Sequence, residues 1–408
     1  MSTENKWGEP AVRLLLASLH SENVAPGRLN QKGGERSAED SLRWGASTGI
    51  LCGMMLRRKC VYVYTVLCLV YSTSIAQDLM NDAKEIRDLD FGLPAVRRSM
   101  LLEIQEKSHQ AEHAVAESLA REYVLRWPDD PTGYYARAVA LQAKHFGCEG
   151  FLDETAIVAT LNGAVERANE RLRLNETDVW AQYMLGLALG FQSVDMLDRG
   201  RPFEAWKISR RSLSALDDVR RKAPEIADAL LPLGAYHFWR GRAVAKWSWI
   251  PFVDDTREQG LQELRIASEA GYTTSISAQN ILMWALHVDG RYEEALTLAD
   301  SLLEKYPRNR SILQVRAEAL YALDRKVSAL DAYRDLISAY EPELSECPGR
   351  YTAIGKLGVI LSELGRCNEA LPYLREAATY IPPSDAQKGF VTAISEARGA
   401  LKRCGENE

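Results

Sequence analysis

The chain is short of positive charge. Its 50 Lys and Arg stand against 56 Asp and Glu, a formal net charge of −6 with a sequence pI of about 5.7. That excludes the strongly basic footprint of a nucleic-acid binder. Cysteine is sparse and odd in number, seven in 408 residues, which excludes a disulfide-stapled mini-scaffold. With 27 Gly and 15 Pro and no dominant low-complexity tract, collagen and wholesale disorder are excluded too. No strong catalytic signature stands out. What remains is an ordinary globular composition, 46% apolar, with ample chain to bury a core. Length alone predicts two or three domains of ~150 residues.

The N-terminal region reads as two segments. Arg57, Arg58 and Lys59 form a basic patch just after Met54 and Met55. The apolar run Val61 to Tyr71 follows, without a single charge. Ser74 and Ala76 then take the small-residue positions of a cut before Gln77. Basic start, short apolar core and small-x-small site are the parts of a secretory signal. The run is too short to cross ~30 Å of hydrocarbon, which takes about 20 residues, so no transmembrane helix is expected in the mature chain. Residues 54–76 are expected to be a signal peptide. Residues 1–53, polar around QKGGERSAED, read as disordered or as a gene-model extension. Cys68 follows Leu67 inside the apolar core, which disfavours a lipid anchor. The expected mature chain, 77–408, carries 41 Lys and Arg against 50 Asp and Glu, net −9, and four cysteines: Cys148, Cys347, Cys367 and Cys404. An exported chain, periplasmic or secreted, permits disulfides among them.

The body of the chain is repetitive. In Asn280 to Pro307, apolar residues recur at helical spacing, break at Asp289-Gly290 and resume until Pro307. That pattern is helix, tight turn, helix, stop. Tyr351 to Pro382 repeats it. Gly290 aligns with Gly365, Ala295 with Ala370 and Pro307 with Pro382, all three pairs at one and the same separation. Between them Ala329 follows Ala295 at a little under half that separation.

These units resemble tetratricopeptide repeats, which pair antiparallel helices over roughly 34 residues with small residues where the helices meet. The step from Ala295 to Ala329 is one such repeat. Leu357-Gly358 and Ala317 match the small position of the first helix. Ala295, Ala329 and Ala370 match that of the second, and Pro307 and Pro382 the closing proline. Met283 departs from the pattern, and Pro342 comes one residue late. The signal is clearest over 275–382. Upstream, Leu185-Gly186 and Leu233-Gly234 carry it more faintly through six or seven helix pairs. Ser384 to Lys402 reads as a capping helix with a polar outer face. The resemblance implies an all-α, right-handed superhelical solenoid over 77–408. A weaker similarity joins Tyr236 to Leu264 to the inclusion-body-clearance type of tetratricopeptide protein, which implies an adaptor rather than an enzyme.

Two motifs carry possible chemistry. His109, Glu112 and His113 spell H-x-x-E-H. On one helix the two histidines would share a face and could hold zinc, with Glu112 polarising a water. A third protein ligand is missing, so the bland reading, a solvated helix face, is preferred and no metal or other cofactor is expected. The aromatic link 236–252 (Tyr236, His237, Phe238, Trp239, Trp247, Trp249, Phe252), interleaved with Arg240, Arg242 and Lys246, has the composition of a hot-spot surface. Its bland reading is a plug between helix pairs. Asp255 or Thr256 is expected to cap the following helix. Cys367 opens a second helix and Cys404 follows the capping helix, so a Cys367–Cys404 disulfide would tie the cap to the last repeat, contributing ~2–4 kcal/mol. Asn175-Glu-Thr177 and Asn309-Arg-Ser311 are glycosylation sequons, meaningful only in a eukaryotic secretory pathway.

The expected function is a non-enzymatic, exported scaffold that holds a protein or peptide segment in its concave groove, within an envelope or secretion assembly. Candidate contact residues are Tyr134, Gln182, Tyr183, Arg316 and Lys356 on first helices, with Trp239, Arg240, Trp247 and Trp249 in the link. The alternatives are a zinc-dependent hydrolase on His109 and His113, and a structural oligomer joined through 236–252.

Overall fold

The computed structural model describes residues 92–144, 154–198, 200–245, 254–340, 344–381 and 388–405. The signal-like segment and the stretch before it lie outside these, as do Cys148, Trp247, Trp249 and Pro342. All described residues belong to one compact unit. They form fifteen α-helices and no strand.

Fourteen of the helices make seven antiparallel pairs: α1 (Ala95–His109) with α2 (His113–Arg126), α3 (Pro131–Lys144) with α4 (Glu154–Leu174), α5 (Val179–Asp198) with α6 (Pro202–Lys222), α7 (Leu230–Val244) with α8 (Arg257–Ala270), α9 (Ser275–Val288) with α10 (Tyr292–Lys305), α11 (Arg310–Ala322) with α12 (Lys326–Ser338), and α13 (Pro348–Glu363) with α14 (Cys367–Thr379). The last, α15 (Lys388–Gly405), packs on both helices of the seventh pair. The architecture is an all-α helical repeat solenoid of tetratricopeptide type.

Local chemistry explains the unit. In α10, Ala295, Leu296, Ala299 and Leu302 are buried on one face, while Glu293 and Glu294 sit in the first turn, where carboxylates favour the helix dipole. The turn before it needs a left-handed residue, and Gly290 supplies it at φ +84°. Gly365 does the same at φ +74°, and Asp324 takes the equivalent place at φ +57°. Asn309 opens α11 by accepting from the Ile312 amide at 3.3 Å. Pairs close on small residues: Ala295, Ala317, Ala329 and Ala370 are completely buried. Closest of all is Gly260, where an added Cβ would lie 2.4 Å from the Phe238 nitrogen. Met283 fills its small-residue position fully buried.

Two devices hold the stack. At the C-terminal end, α15 buries Ala393, Ile394, Ala397 and Ala400, and Cys404 is disulfide-bonded to Cys367 at the start of α14. Cys347 is disulfide-bonded as well. Between α6 and α7 a 3-10 turn, Ala227–Ala229, carries the completely buried Asp228. Its carboxylate accepts from the Tyr272 amide (2.5 Å), the Thr273 amide (2.7 Å) and the Thr273 hydroxyl (2.6 Å). Burial pushes Asp228 above the usual carboxylate range, and these hydrogen bonds pull it back in part.

The first two pairs also touch the loops that enter pairs five and six. Arg98 lies over the Tyr272 ring at 4.4 Å and bonds its hydroxyl. Glu106 accepts from Lys305 (3.0 Å) and from the Tyr306 hydroxyl (2.8 Å). The His109 ring sits against Tyr306 at 5.4 Å, and Asn309 donates to the His109 carbonyl at 3.1 Å. Arg310, buried and over Tyr340, donates to the Lys144 carbonyl at the end of α3 (2.7 Å), where a cation suits the helix dipole. The partners are between 166 and 200 residues apart in sequence. These contacts close one turn of the solenoid on itself.

Burial holds the His109 imidazole down to about 4; Glu106 pulls it up and Lys305 further down. An unfolded chain binds this proton near the ordinary 6.5. Between those values the unfolded state takes up a proton that the folded state refuses, so stability falls as pH drops through that window. Urea unfolding across the window is expected to show this loss in the parent chain and a flatter profile in His109→Gln. Equal slopes would refute the assignment.

Candidate functional site

The faces of α9, α11 and α13 that turn away from their partner helices carry a continuous polar ladder. Asn280, Trp284 and His287 recur at helical spacing on α9. Ser311, Gln314, Glu318 and Tyr321 do so on α11. Residues three and four apart share a helix face, so each set faces the neighbouring first helix. Trp284 Nε1 donates to the Ser311 hydroxyl (2.7 Å), which donates to Asn280 Oδ1 (3.0 Å). One turn on, His287 Nε2 lies 3.0 Å from Glu318 Oε2, and Gln314 donates to Glu318 Oε1 at 2.8 Å. The Tyr321 hydroxyl donates to Glu363 (2.9 Å). Lys356 stands 5.7 Å from the Tyr321 ring and pairs with Glu396 on α15.

The ladder carries three carboxylates: Glu363 pairs with Lys326 (3.2 Å) and Glu396 with Lys356, while Glu318 faces His287. Burial alone would push Glu318 up. The hydrogen bond and charge of His287, with Gln314 and Lys356, hold it below the usual carboxylate range instead. Burial, together with Glu363, pushes the Tyr321 hydroxyl up to about 12, so it remains a donor. The His287 ring meets Trp284 edge-on at 6.0 Å, and its Nδ1 is buried with no hydrogen-bond partner among the described residues. The site offers donors and acceptors that can hydrogen-bond an extended chain.

Of the residues expected from sequence, Lys356 falls on this face. Arg316 does not. It bonds Asp300 on α10 at 2.7 Å and approaches Asp335 on α12 at 3.8 Å. The reason is rotation: two residues from both Gln314 and Glu318 is about 200° around a helix, which turns Arg316 toward the second helices. Tyr183 has the right register, but it is 1% exposed, packed against Trp180, and cannot meet a partner. Tyr134 bonds the Pro128 carbonyl and covers Gly163 on α4, and Gln182 donates to Asp218 on α6 at 3.4 Å. Both therefore serve contacts within the stack. Trp239 is 39% exposed near the end of α7, and Arg240 is half-buried. Asn280, Trp284, His287, Gln314, Glu318 and Tyr321 were not anticipated. Trp284 and Glu318 directly follow Met283 and Ala317, and that offset was the signal available.

The H-x-x-E-H reading fails on geometry. The motif does not lie on one helix: α1 ends at His109, Ala111 turns left-handed at φ +64°, and α2 starts at His113. Glu112 pairs with Lys107 at 3.0 Å. No group of three or more His, Cys, Asp or Glu suited to a metal occurs among the described residues. In the aromatic link, Phe238 is buried and His237 bonds Glu263 at 2.5 Å, so that part packs inward. Thr256 precedes α8 but its hydroxyl donates to the His237 carbonyl, while Asp255 accepts from the Arg257 amide at 3.0 Å. No described helix is long and apolar enough to cross a membrane.

Residues 205–356 match the model of the bacterial transcriptional activator domain. No curated protein matches the chain. Among solved structures, a tetratricopeptide repeat protein from Parabacteroides merdae is similar at 14% identity, over 74% of this chain and 99% of that one, with a TM-score of 0.35. A Rap protein complexed with competence and sporulation factor aligns at 12% identity, over 76% and 85%, with a TM-score of 0.39. Yeast Tom70 aligns at 11%, over 81% and 96%, with a TM-score of 0.29.

The Tyr183 hydroxyl is buried without a hydrogen-bond partner among the described residues. Removing an unsatisfied buried hydroxyl relieves its desolvation, so Tyr183→Phe is expected to leave stability unchanged or raise it by about 1 kcal/mol. A clear loss of stability in urea unfolding would mean that the hydroxyl has a partner in solution.

Proposed function

We propose that the chain is a non-enzymatic scaffold that holds an extended protein segment along the first-helix face of α9, α11 and α13, and that the segment carries Lys or Arg. The observation that carries this reading is the ladder itself, with Trp284 and Tyr321 flanking the His287–Glu318 pair and Glu318 the one of its three carboxylates with no Lys or Arg ion-pair partner among the described residues. Helix pairs that bury their apolar faces only against neighbours leave an extended groove for such a segment. We also propose that the scaffold works outside the cytoplasm, in an envelope or secretion assembly. The signal-like 54–76 segment and the Cys367–Cys404 disulfide support this, because disulfides persist in oxidising compartments.

A second reading is favoured by the match over 205–356: an intracellular regulator of transcription that uses the same face for a protein partner. The two readings differ in address. Fractionation with N-terminal sequencing of the native protein is expected to give an exported chain beginning at Gln77; a cytoplasmic product containing Trp7 would select the second reading. The groove is tested apart from that, by titrating the full chain with an array of extended peptides. Peptides rich in Lys or Arg are expected to bind, and Glu318→Gln to weaken them by tenfold or more, since a hydrogen bond to a charged group contributes about 1.5–3 kcal/mol. Binding indifferent to Glu318→Gln would overturn the groove assignment.

A further inference from the structure

α6 stands out in an acidic chain. Over Pro202–Lys222 it carries six Lys and Arg against three Asp and Glu, and Arg201 at its N-cap adds a seventh cation. Its inner face is committed: Ala205, Ser212, Ala215, Leu216 and Val219 are buried. Its outer face begins with Phe203, 57% exposed and stacked on Trp206 at 5.7 Å. One helical turn on, Lys207 lies over the Phe203 ring (4.6 Å) and Arg210 over the Trp206 ring (5.7 Å). The three carboxylates are each taken by an arginine: Glu204 by Arg201, Asp217 by Arg220 and Asp218 by Arg221. Lys207 and Arg211, both exposed, have no carboxylate partner among the described residues.

We propose that this outer face of α6 is a docking surface for an anionic lipid bilayer. A Phe beside Lys and Arg is the arrangement of a helix lying in the interface plane: the ring enters the acyl boundary and the long cationic side chains reach back to the headgroup phosphates. Each cation near an anionic surface adds to the attraction, which falls off within a Debye length. A bilayer accepts an isolated Phe without a matching pocket, whereas a folded acidic protein would have to supply one. A nucleic acid would use the cations and leave Phe203 idle. The surface is separate from the groove on α9, α11 and α13, and the proposal stands whether or not that groove binds peptide.

The test is co-sedimentation of the full chain with vesicles of phosphatidylcholine, with and without phosphatidylglycerol. The chain is expected to pellet with the anionic vesicles and not with the neutral ones. Lys207→Gln with Arg211→Gln should weaken that binding by tenfold or more, the loss of two surface cations. Phe203→Ser should weaken it as well, with the circular dichroism spectrum unchanged for both variants. Equal binding to neutral vesicles, no binding at all, or binding that survives all three substitutions would overturn the proposal. A short DNA duplex and poly-glutamate serve as competing polyanions. Capture of either in place of vesicles, insensitive to Phe203→Ser, would also overturn it.

Discussion

Each pair of helices in this chain hides its apolar stripe only against the pairs beside it, so the whole stack depends on how near two helices can come. That distance is set by atoms that are missing. Between Gly260 and the backbone of Phe238 there is no space even for a methyl carbon, and completely buried alanines hold the equivalent places in the later pairs. Close approach lets ridges of side chains interlock. Leu296, Leu313, Leu330, Leu357 and Leu374 then run on in one core from pair to pair. A larger residue at any crossing would be felt along the stack, because dense packing transmits displacement.

Nearest-neighbour stacking is not the only constraint. Contacts from α1 and α3 to residues 272–310 tie the start of the solenoid to its middle. They join buried or half-buried groups of mixed character, an imidazole on a phenol, a guanidinium on helix-end carbonyls. Such contacts stabilise little one at a time, but closing a loop of this length carries most of its entropic cost at once and little more for each further contact. The result is a stack whose start and middle are not independent. Stiffness of this kind suits a face that must present side chains from three successive pairs in fixed register.

The repeat over 275–382 was legible because its markers are steric and local. A left-handed turn selects Gly, a crossing selects Ala, and a stop selects Pro, each at a fixed offset. Closure of the solenoid left no such trace: Arg98 and Tyr272 are 174 residues apart, and no periodicity predicts their meeting. The H-x-x-E-H motif raised a minor alternative that the structure removes, for the opposite reason. Its spacing presupposes an unbroken helix, and the break falls at Ala111, an alanine in a left-handed conformation that an L side chain seldom adopts. Arg316 was misplaced by a rotation of two residues. Glu318, close to it in the same helix, was not singled out, because nothing in one sequence separates a groove carboxylate from a surface one.

Register shows where along the stack a partner could be read. The position three residues before the small residue of a first helix is Tyr183 in α5, Asn280 in α9 and Gln314 in α11. The position just after it is Leu187, Trp284 and Glu318. In α5 both are buried, within a core that also takes in Met100, Leu101 and Ile104 of α1. In α9 and α11 the same places carry hydrogen-bonding side chains that remain partly open. One geometric position is therefore used for cohesion in the third pair and for polar display in the fifth and sixth. The change in chemistry at constant geometry locates the candidate site, since a groove built only to bury itself would have kept Leu and Tyr throughout.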